Sequence, residues 1–393
     1  MTVTVHGLVS PGFESVAASF ERAFDGQPTM GAALAIRHRG VSVVDLWAGT
    51  TDAAAAIPWR DDTLSVVFSC TKGLMSLLAA RLVQEGRLSY DAPVVEYWPE
   101  FAAAGKSAVR VRELLAHRAG LSAPRIPLTP SELLAWDTVT GRLAAQAPLW
   151  EPGAGYAYHA ITHGWLIGEV VRRVTGMSVG AAFQDLVARP LGADAWIGLP
   201  PSEHGRVATM LVGDSLAELT RVQAAARTAG VVDWSEQAMT LGGALPPELV
   251  GPEAGFNRPE VQEAEIPGAG GIASARALAA IWSASFRETD GVRLLDVPTI
   301  AAATTVQSSG PPVWEVPGPW PAWGMGFQLD SEARHYLSSS SFGHDGAGGQ
   351  VAFADPRQDI GFAFLTNQME GVGDVRATAI IDALHESLTG TVR

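Results

Sequence analysis

Ser69-Cys70-Thr71-Lys72 sets a hydroxyl and an amine three residues apart, so that on a helix both stand on one face about one turn apart. A serine hydroxyl attacks weakly until a neighbouring base takes its proton, and a lysine stripped of water has a pKa low enough to help. A helix starting near Ser69 would add partial positive charge and free N–H groups beside the hydroxyl, where an oxyanion forms. The competing reading of the same residues is a capping serine followed by an incidental lysine. Lysine is scarce enough to single out: all but two of the 27 positive charges are Arg, and only Lys72 and Lys106 offer an amine that can lose its proton.

Other polar runs are set around this one. Glu151-Pro152-Gly153 precedes Tyr156-Ala157-Tyr158-His159-Ala160 in a turn, and Gly343-His344-Asp345-Gly346-Ala347-Gly348-Gly349 leads into a strand opening at Gln350. Leu114 to Leu121 ends a helix in a glycine stop, where His117 reads as a helix-end histidine beside the last carbonyls. Trp314, Trp320 and Trp323 stand among five prolines and read either as the wall of an acyl or alcohol pocket or as a packed loop. Gly176-Met177-Ser178-Val179-Gly180 matches G-x-S-x-G, but a nucleophile elbow needs a strand before it, and the preceding residues are helical in period. Ser178 therefore reads as an N-cap. His159 and His163 are four apart, yet Ala160 stands where a zinc protease needs glutamate, and Glu260, Glu263 and Glu265 read as a solvated face. Cys70 is expected as a small core residue. Neither a metal nor an organic cofactor is expected.

Taken in order, S-x-x-K, a tyrosine turn after Pro-Gly, and H-x-G ahead of a strand resemble the serine β-lactamase and penicillin-binding-protein superfamily. Among its branches the chain is most similar to the family VIII carboxylesterases related to class C β-lactamases, from the first hairpin to the last. The resemblance implies that Ser69 is the acyl-accepting nucleophile, Lys72 its activator and Tyr158 the general base, its phenol acidified by nearby Lys72. Tyr156 is a competing match, and the distance to the Gly-Glu pair of the next helix favours Tyr158. His344, Asp345 and Gly346 take the place of K-T-G and, with Trp323, would contact substrate, while the N–H groups of Ser69 and Ala347 would form the oxyanion hole. Two departures stand out: Ala160 replaces the asparagine that holds a β-lactam side chain, and neutral His344 replaces the lysine that meets its carboxylate. The expected activity is that of a serine carboxylesterase with weak or no β-lactamase action. Acyl transfer, D-amino-acid peptidase or amidase action, β-lactam hydrolysis and a non-catalytic binding role are the alternatives.

These residues need elements to hold them. The chain has 393 residues, 47% of them hydrophobic and 17% charged, as in a globular protein with ample core. A net charge of −14 with no basic run argues against nucleic acid and anionic membranes and leaves a small-molecule ester as the expected partner. One cysteine excludes an internal disulfide. The opening residues from Met1 to His6 show neither a basic nor an apolar leader segment, so a cytoplasmic location is expected.

The apolar spacing predicts a helix over 13–24, a hairpin over 31–47 and a buried helix from Ser69 to a stop at Gly86. Further helices are expected over 109–117, 131–145, 161–174, 178–188 and 274–285, a hairpin over 350–365 and a closing helix over 374–388. The fold class is α+β, of the β-lactamase and transpeptidase kind: an antiparallel sheet flanked by helices, with a second, mainly helical lobe. Residues 1–68 and 266–393 would form the sheet domain, and 69–265 the helical one with a loop-rich insertion over 200–265.

Overall fold

The computed structural model describes residues 3–228, 230–314, 316–371 and 373–390; Met1 and Thr2 of the opening segment lie outside them. Both ends of the chain contribute to an eight-stranded sheet in the order His6–Val9, Val41–Gly49, Gly31–His38, Ile360–Thr366, Val351–Asp355, Phe342–Asp345, Gln328–Leu329, Ala322–Trp323. Every neighbouring pair runs antiparallel. Ile360–Thr366 is buried along its whole length, which explains its continuous apolar run: a strand covered on both faces has no side left for alternating polar residues. One face of the sheet packs on the helices Glu14–Arg22 and Arg376–Gly390 through Phe20, Phe362, Phe364, Ile380 and Leu384. On the other face lies Ala275–Ala284, whose Trp282 meets Phe327 and Phe342.

The expected α+β class is present, with most of the remaining helices between residues 70 and 303. Cys70–Gln84 buries Leu74, Leu77, Leu78 and Leu82 and nearly all of the residues between them, so it runs through the interior and not along a surface. A second, three-stranded antiparallel sheet joins Ser65–Phe68 to Gly271–Ala273 and that strand to Ala195–Ile197.

Several boundaries differ from the sequence reading. The helix expected over 131–145 is two, Pro130–Leu133, opened by a capping box of Thr129 and Glu132, and Trp136–Ala145, because Ala135 between them takes an extended backbone, φ −100° and ψ 92°. The one expected over 109–117 shortens to Val111–Leu115. Residues 200–265 are less loop-rich than expected, holding the helices Asp214–Ala225, Trp234–Thr240 and Pro259–Glu263. Asp214–Ala225 buries only Thr220, so it has no apolar stripe for a periodicity argument to find. Among the described residues, no helix is long and apolar enough to cross a membrane.

Candidate active site

The strand Ser65–Phe68 passes into the helix Cys70–Gln84 through a sharp turn. Phe68 is fully buried with a left-handed backbone, φ 44°, a conformation that costs a non-glycine residue about 1–3 kcal/mol unless its surroundings enforce it. Here they do: the Thr71 hydroxyl donates to the Phe68 carbonyl at 2.5 Å and accepts the Gly271 N–H at 2.8 Å, tying turn, helix and neighbouring strand together. Ser69 follows the turn, and its hydroxyl caps nothing. Its Oγ meets Lys72 Nζ at 3.0 Å and the Tyr158 hydroxyl at 2.9 Å. The capping reading of this serine is therefore set aside.

Lys72 is fully buried. Its Nζ donates to the carbonyls of Ala160 at 2.5 Å and Gly268 at 2.6 Å, from chain segments far away in sequence, and among the described residues no carboxylate pairs with it. Loss of water holds its pKa well below the ordinary lysine value. A neutral amine has two donors and one lone pair; with both donors on carbonyls, the lone pair is left for the Ser69 hydroxyl. Lys106 is also buried on two carbonyls, those of Ala103 and Gln146, but no nucleophile joins it.

Tyr158 is clasped by rings. Trp323 stacks on it at 5.3 Å, His117 lies 5.0 Å from it, and Lys72 Nζ stands 4.8 Å from its centroid. The expected acidification of the phenol is not found: burial pushes its pKa up, because the phenolate loses more hydration than the neutral form. The Tyr158 hydroxyl accordingly stays protonated and donates to Ser69. Tyr156 is separated from this chemistry by its own hydrogen bond, its hydroxyl donating to the Gly310 carbonyl at 2.5 Å.

The strand Phe342–Asp345 brings the third motif to the serine. At Gly346 an added Cβ would stand 2.3 Å from the Val67 carbonyl, so only glycine lets this strand end approach the strand that leads to Ser69. The Cys70 thiol donates to the His344 carbonyl at 3.1 Å, fastening the helix start to the same strand. No acceptor among the described residues takes the amides of Ser69 or Ala347, and both residues border the pocket. His344 donates from Nδ1 to the Asp345 carbonyl at 2.6 Å; burial holds its pKa at about 3, so the ring is neutral, with no partner on Nε2. Arg334 at 2.7 Å and the Tyr336 hydroxyl at 3.1 Å engage the Asp345 carboxylate.

Ser69 opens onto a cavity of about 430 Å³ that includes Tyr158, Trp314, Trp320, Trp323 and Met239 in its walls. All three tryptophans of the proline-rich loop thus face the site, together with His344 and Asp345; Gly346 acts through its backbone and does not line the cavity. Among the described residues, neither Lys nor Arg lines it. The other sequence candidates lie elsewhere or are already engaged. Ser178 caps Val179–Phe183 and bonds Glu265, while Glu260 pairs with Arg258 and Glu263 with His204.

His117 corrects the sequence reading: its ring is fully buried and kept neutral, with Nδ1 accepting the His159 N–H at 3.2 Å and no charge offered to the helix end. Sequence reasoning also missed the Ala160 and Gly268 carbonyls and the wall given by Trp234–Thr240. Backbone atoms have no residue-type signature, so no sequence signal could have found the carbonyls.

The sequence profile of the Beta-lactamase family matches residues 17–386. The esterase/beta-lactamase LipL of Mycobacterium tuberculosis is 35% identical over 371 residues, covering 93% of this chain and 83% of that protein. A crystal structure of a family VIII carboxylesterase superposes with a TM-score of 0.85 at 34% identity, over 98% of this chain and 100% of the other. A penicillin-binding-protein homologue from Caulobacter crescentus matches with a TM-score of 0.85 at 36% identity, again over 98% and 100% of the two chains.

Proposed function

The chain belongs to the Beta-lactamase family, and we propose that it is an esterase of that superfamily, hydrolysing neutral carboxylic esters through an acyl-enzyme on Ser69. The observation that carries this reading is the environment of Lys72: a buried amine held on two carbonyls, with Ser69 Oγ at 3.0 Å. Lys72 takes the Ser69 proton as Oγ attacks the ester carbonyl, and the amides of Ser69 and Ala347 receive the oxyanion. Tyr158 gives its proton to the departing alkoxide and recovers one from the Lys72 ammonium; water then enters by the same steps reversed and releases the acid. In acylation this makes Lys72 the base and Tyr158 the acid, since a phenol whose pKa is raised stays protonated in the resting site. In deacylation the roles exchange, Tyr158 taking the proton of water as it passes its own to Lys72, and the Lys72 ammonium returning one to Ser69 Oγ.

The pocket supports esters over β-lactams. Its walls are apolar and aromatic, its histidine is neutral, and the Asp345 carboxylate is already paired with Arg334, so among the described residues a substrate carboxylate beside the scissile bond finds no free cation. Ala160 offers Lys72 a carbonyl but has no side-chain amide for a β-lactam substituent. Wild type and Ser69→Ala assayed together on a short-chain p-nitrophenyl ester and a chromogenic cephalosporin test the reading. Ester turnover should vanish with Ser69, and cephalosporin cleavage should be slow by comparison. Efficient cephalosporin opening, or an active Ser69→Ala, would contradict it.

A further inference from the structure

Behind the site lies a group of buried imidazoles with no step in the mechanism: His117, His159 and His163, all fully buried. His117 touches the rings of Tyr158 at 5.0 Å, Trp323 at 4.7 Å and His163 at 4.8 Å. Its backbone is left-handed, φ 61°, in a residue with a side chain, a conformation retained only where the surroundings enforce it. That conformation turns two acceptors of one residue toward a single chain segment. The His117 carbonyl accepts the Ala157 N–H at 3.2 Å, and its Nδ1 accepts the His159 N–H at 3.2 Å.

Tyr158 lies between these two anchor points, and Ala160, just beyond them, gives its carbonyl to Lys72. We propose that His117 is a positioning residue: by holding residues 157 and 159 it sets the Tyr158 hydroxyl on Ser69 and the Ala160 carbonyl on Lys72 at the same time. The inference rests on the acyl-transfer reading above, because it gives His117 a role only through those three groups.

The other two histidines complete the brace. The His159 ring accepts the Leu121 N–H on Nε2 at 3.1 Å and donates from Nδ1 to the Ala157 carbonyl at 2.7 Å. His163 donates from Nε2 to the Leu115 carbonyl at 3.2 Å. A carbonyl left over where the helix Val111–Leu115 ends is thus satisfied from the helix that follows the tyrosine turn. With Nδ1 accepting, neutral His117 carries its proton on Nε2; that atom and His163 Nδ1 are both buried without a partner among the described residues, a donor and an acceptor on neighbouring rings. Protonating His117 would remove the Nδ1 acceptor and place a charge beside Lys72, so the brace works only with a neutral ring. The titratable groups around Lys72 are Cys70 on its own helix, Tyr158 and His159 on the turn, His117 and His163 behind it, and His344 on the facing strand.

Asparagine and leucine separate this role from plain packing. The substitution His117→Asn puts an oxygen near the place of Nδ1 and tolerates a left-handed backbone, whereas His117→Leu introduces a side chain of similar size with no acceptor. Wild type, His117→Asn, His117→Leu and Ser69→Ala are compared on one p-nitrophenyl ester across pH, with thermal melts alongside. His117→Leu should lower kcat by about 10²-fold with KM little changed, the loss expected from a displacement near 1 Å. Its acid limb of kcat/KM should move up by roughly one pH unit or more, as Lys72 regains water and basicity. His117→Asn should stay within about threefold of wild type in kcat, with its acid limb in place.

A purely structural role would lower the melting temperature and leave the pH profile where it is. Should His117→Leu fail to fold, His117→Gly, which accepts the backbone conformation and also lacks the acceptor, is read in the same way. An inactive Ser69→Ala together with wild-type kcat and acid limb in the acceptor-less variant would overturn the role of His117 alone. An active Ser69→Ala would overturn the acyl-transfer reading itself.

Discussion

At the scale of single residues, the site depends on what holds its three reacting groups in place. Ser69 Oγ meets an amine and a phenol, and each of those is fixed by atoms that do no chemistry: two carbonyls for Lys72, stacked rings for Tyr158. Tyr158→Phe keeps the stacking and removes only the hydroxyl, so it should lower kcat by roughly 10²-fold or more while the melting temperature hardly moves. Steady-state kinetics and a melt check this, and full activity would shift the acid role to another group. Combining it with Lys72→Ala should cost much less than the product of the separate losses, because the groups act as a unit. Ser69 and Lys72 were legible in the sequence because S-x-x-K spacing survives translation into helix geometry. The choice between Tyr156 and Tyr158 came from resemblance, and its physical reason lies in two hydrogen bonds, Tyr158 to Ser69 and Tyr156 to the Gly310 carbonyl. The direction of the Tyr158 pKa was misread because desolvation by distant segments leaves no mark in local sequence.

Among the elements, close approaches govern. The loop that carries Gly268 lies against the start of the helix Thr162–Thr175: a Cβ on Gly268 would stand 2.2 Å from the Ile161 carbonyl, and one on Gly164 1.9 Å from the Gly268 nitrogen. Gly268→Ala should therefore push the loop away and let water reach the Lys72 donor that it frees, and with that desolvation relieved the acid limb of kcat/KM should rise. A pH profile tests this, and an unmoved limb would mean that the Gly268 carbonyl is dispensable. Helices with a buried stripe, such as Thr162–Thr175 and Ala275–Ala284, were readable from periodicity to within a residue or two. Asp214–Ala225 was not, having no such stripe, and neither were Ser65–Phe68, Ala195–Ile197 and Gly271–Ala273. Those strands are three or four residues long, and each finds its partner across a large stretch of chain, so no local pattern announces them.

For the whole molecule, the cost of this design is acid sensitivity. His117, His159, His163 and His344 are all buried and held below the usual imidazole value mainly by loss of water, His159 to about 4 and His344 to about 3. In the unfolded chain each returns to about 6.5, so below that pH the unfolded state binds protons that the folded state refuses. Stability contributed by these neutral rings is complete above pH 6.5 and lost progressively as pH falls toward the folded values, by about 1.4 kcal/mol per pH unit for each group. Denaturant unfolding should therefore show stability falling steeply from about pH 6.5 to 5, and His159→Gln, which keeps an acceptor for the Leu121 N–H, should flatten that slope by about one proton. An unchanged slope would mean that the rings are hydrated. The central claim, however, is covalent: an ester's acyl group passes through Ser69. Rapid acid quench during turnover of a slowly hydrolysed p-nitrophenyl ester, followed by intact-mass measurement and peptide mapping, tests it most directly. We predict one added acyl mass on the peptide containing Ser69, formed in step with a burst of p-nitrophenol and missing from Ser69→Ala. An acyl group mapped to another residue, or turnover that persists in Ser69→Ala with no covalent adduct, would contradict the account.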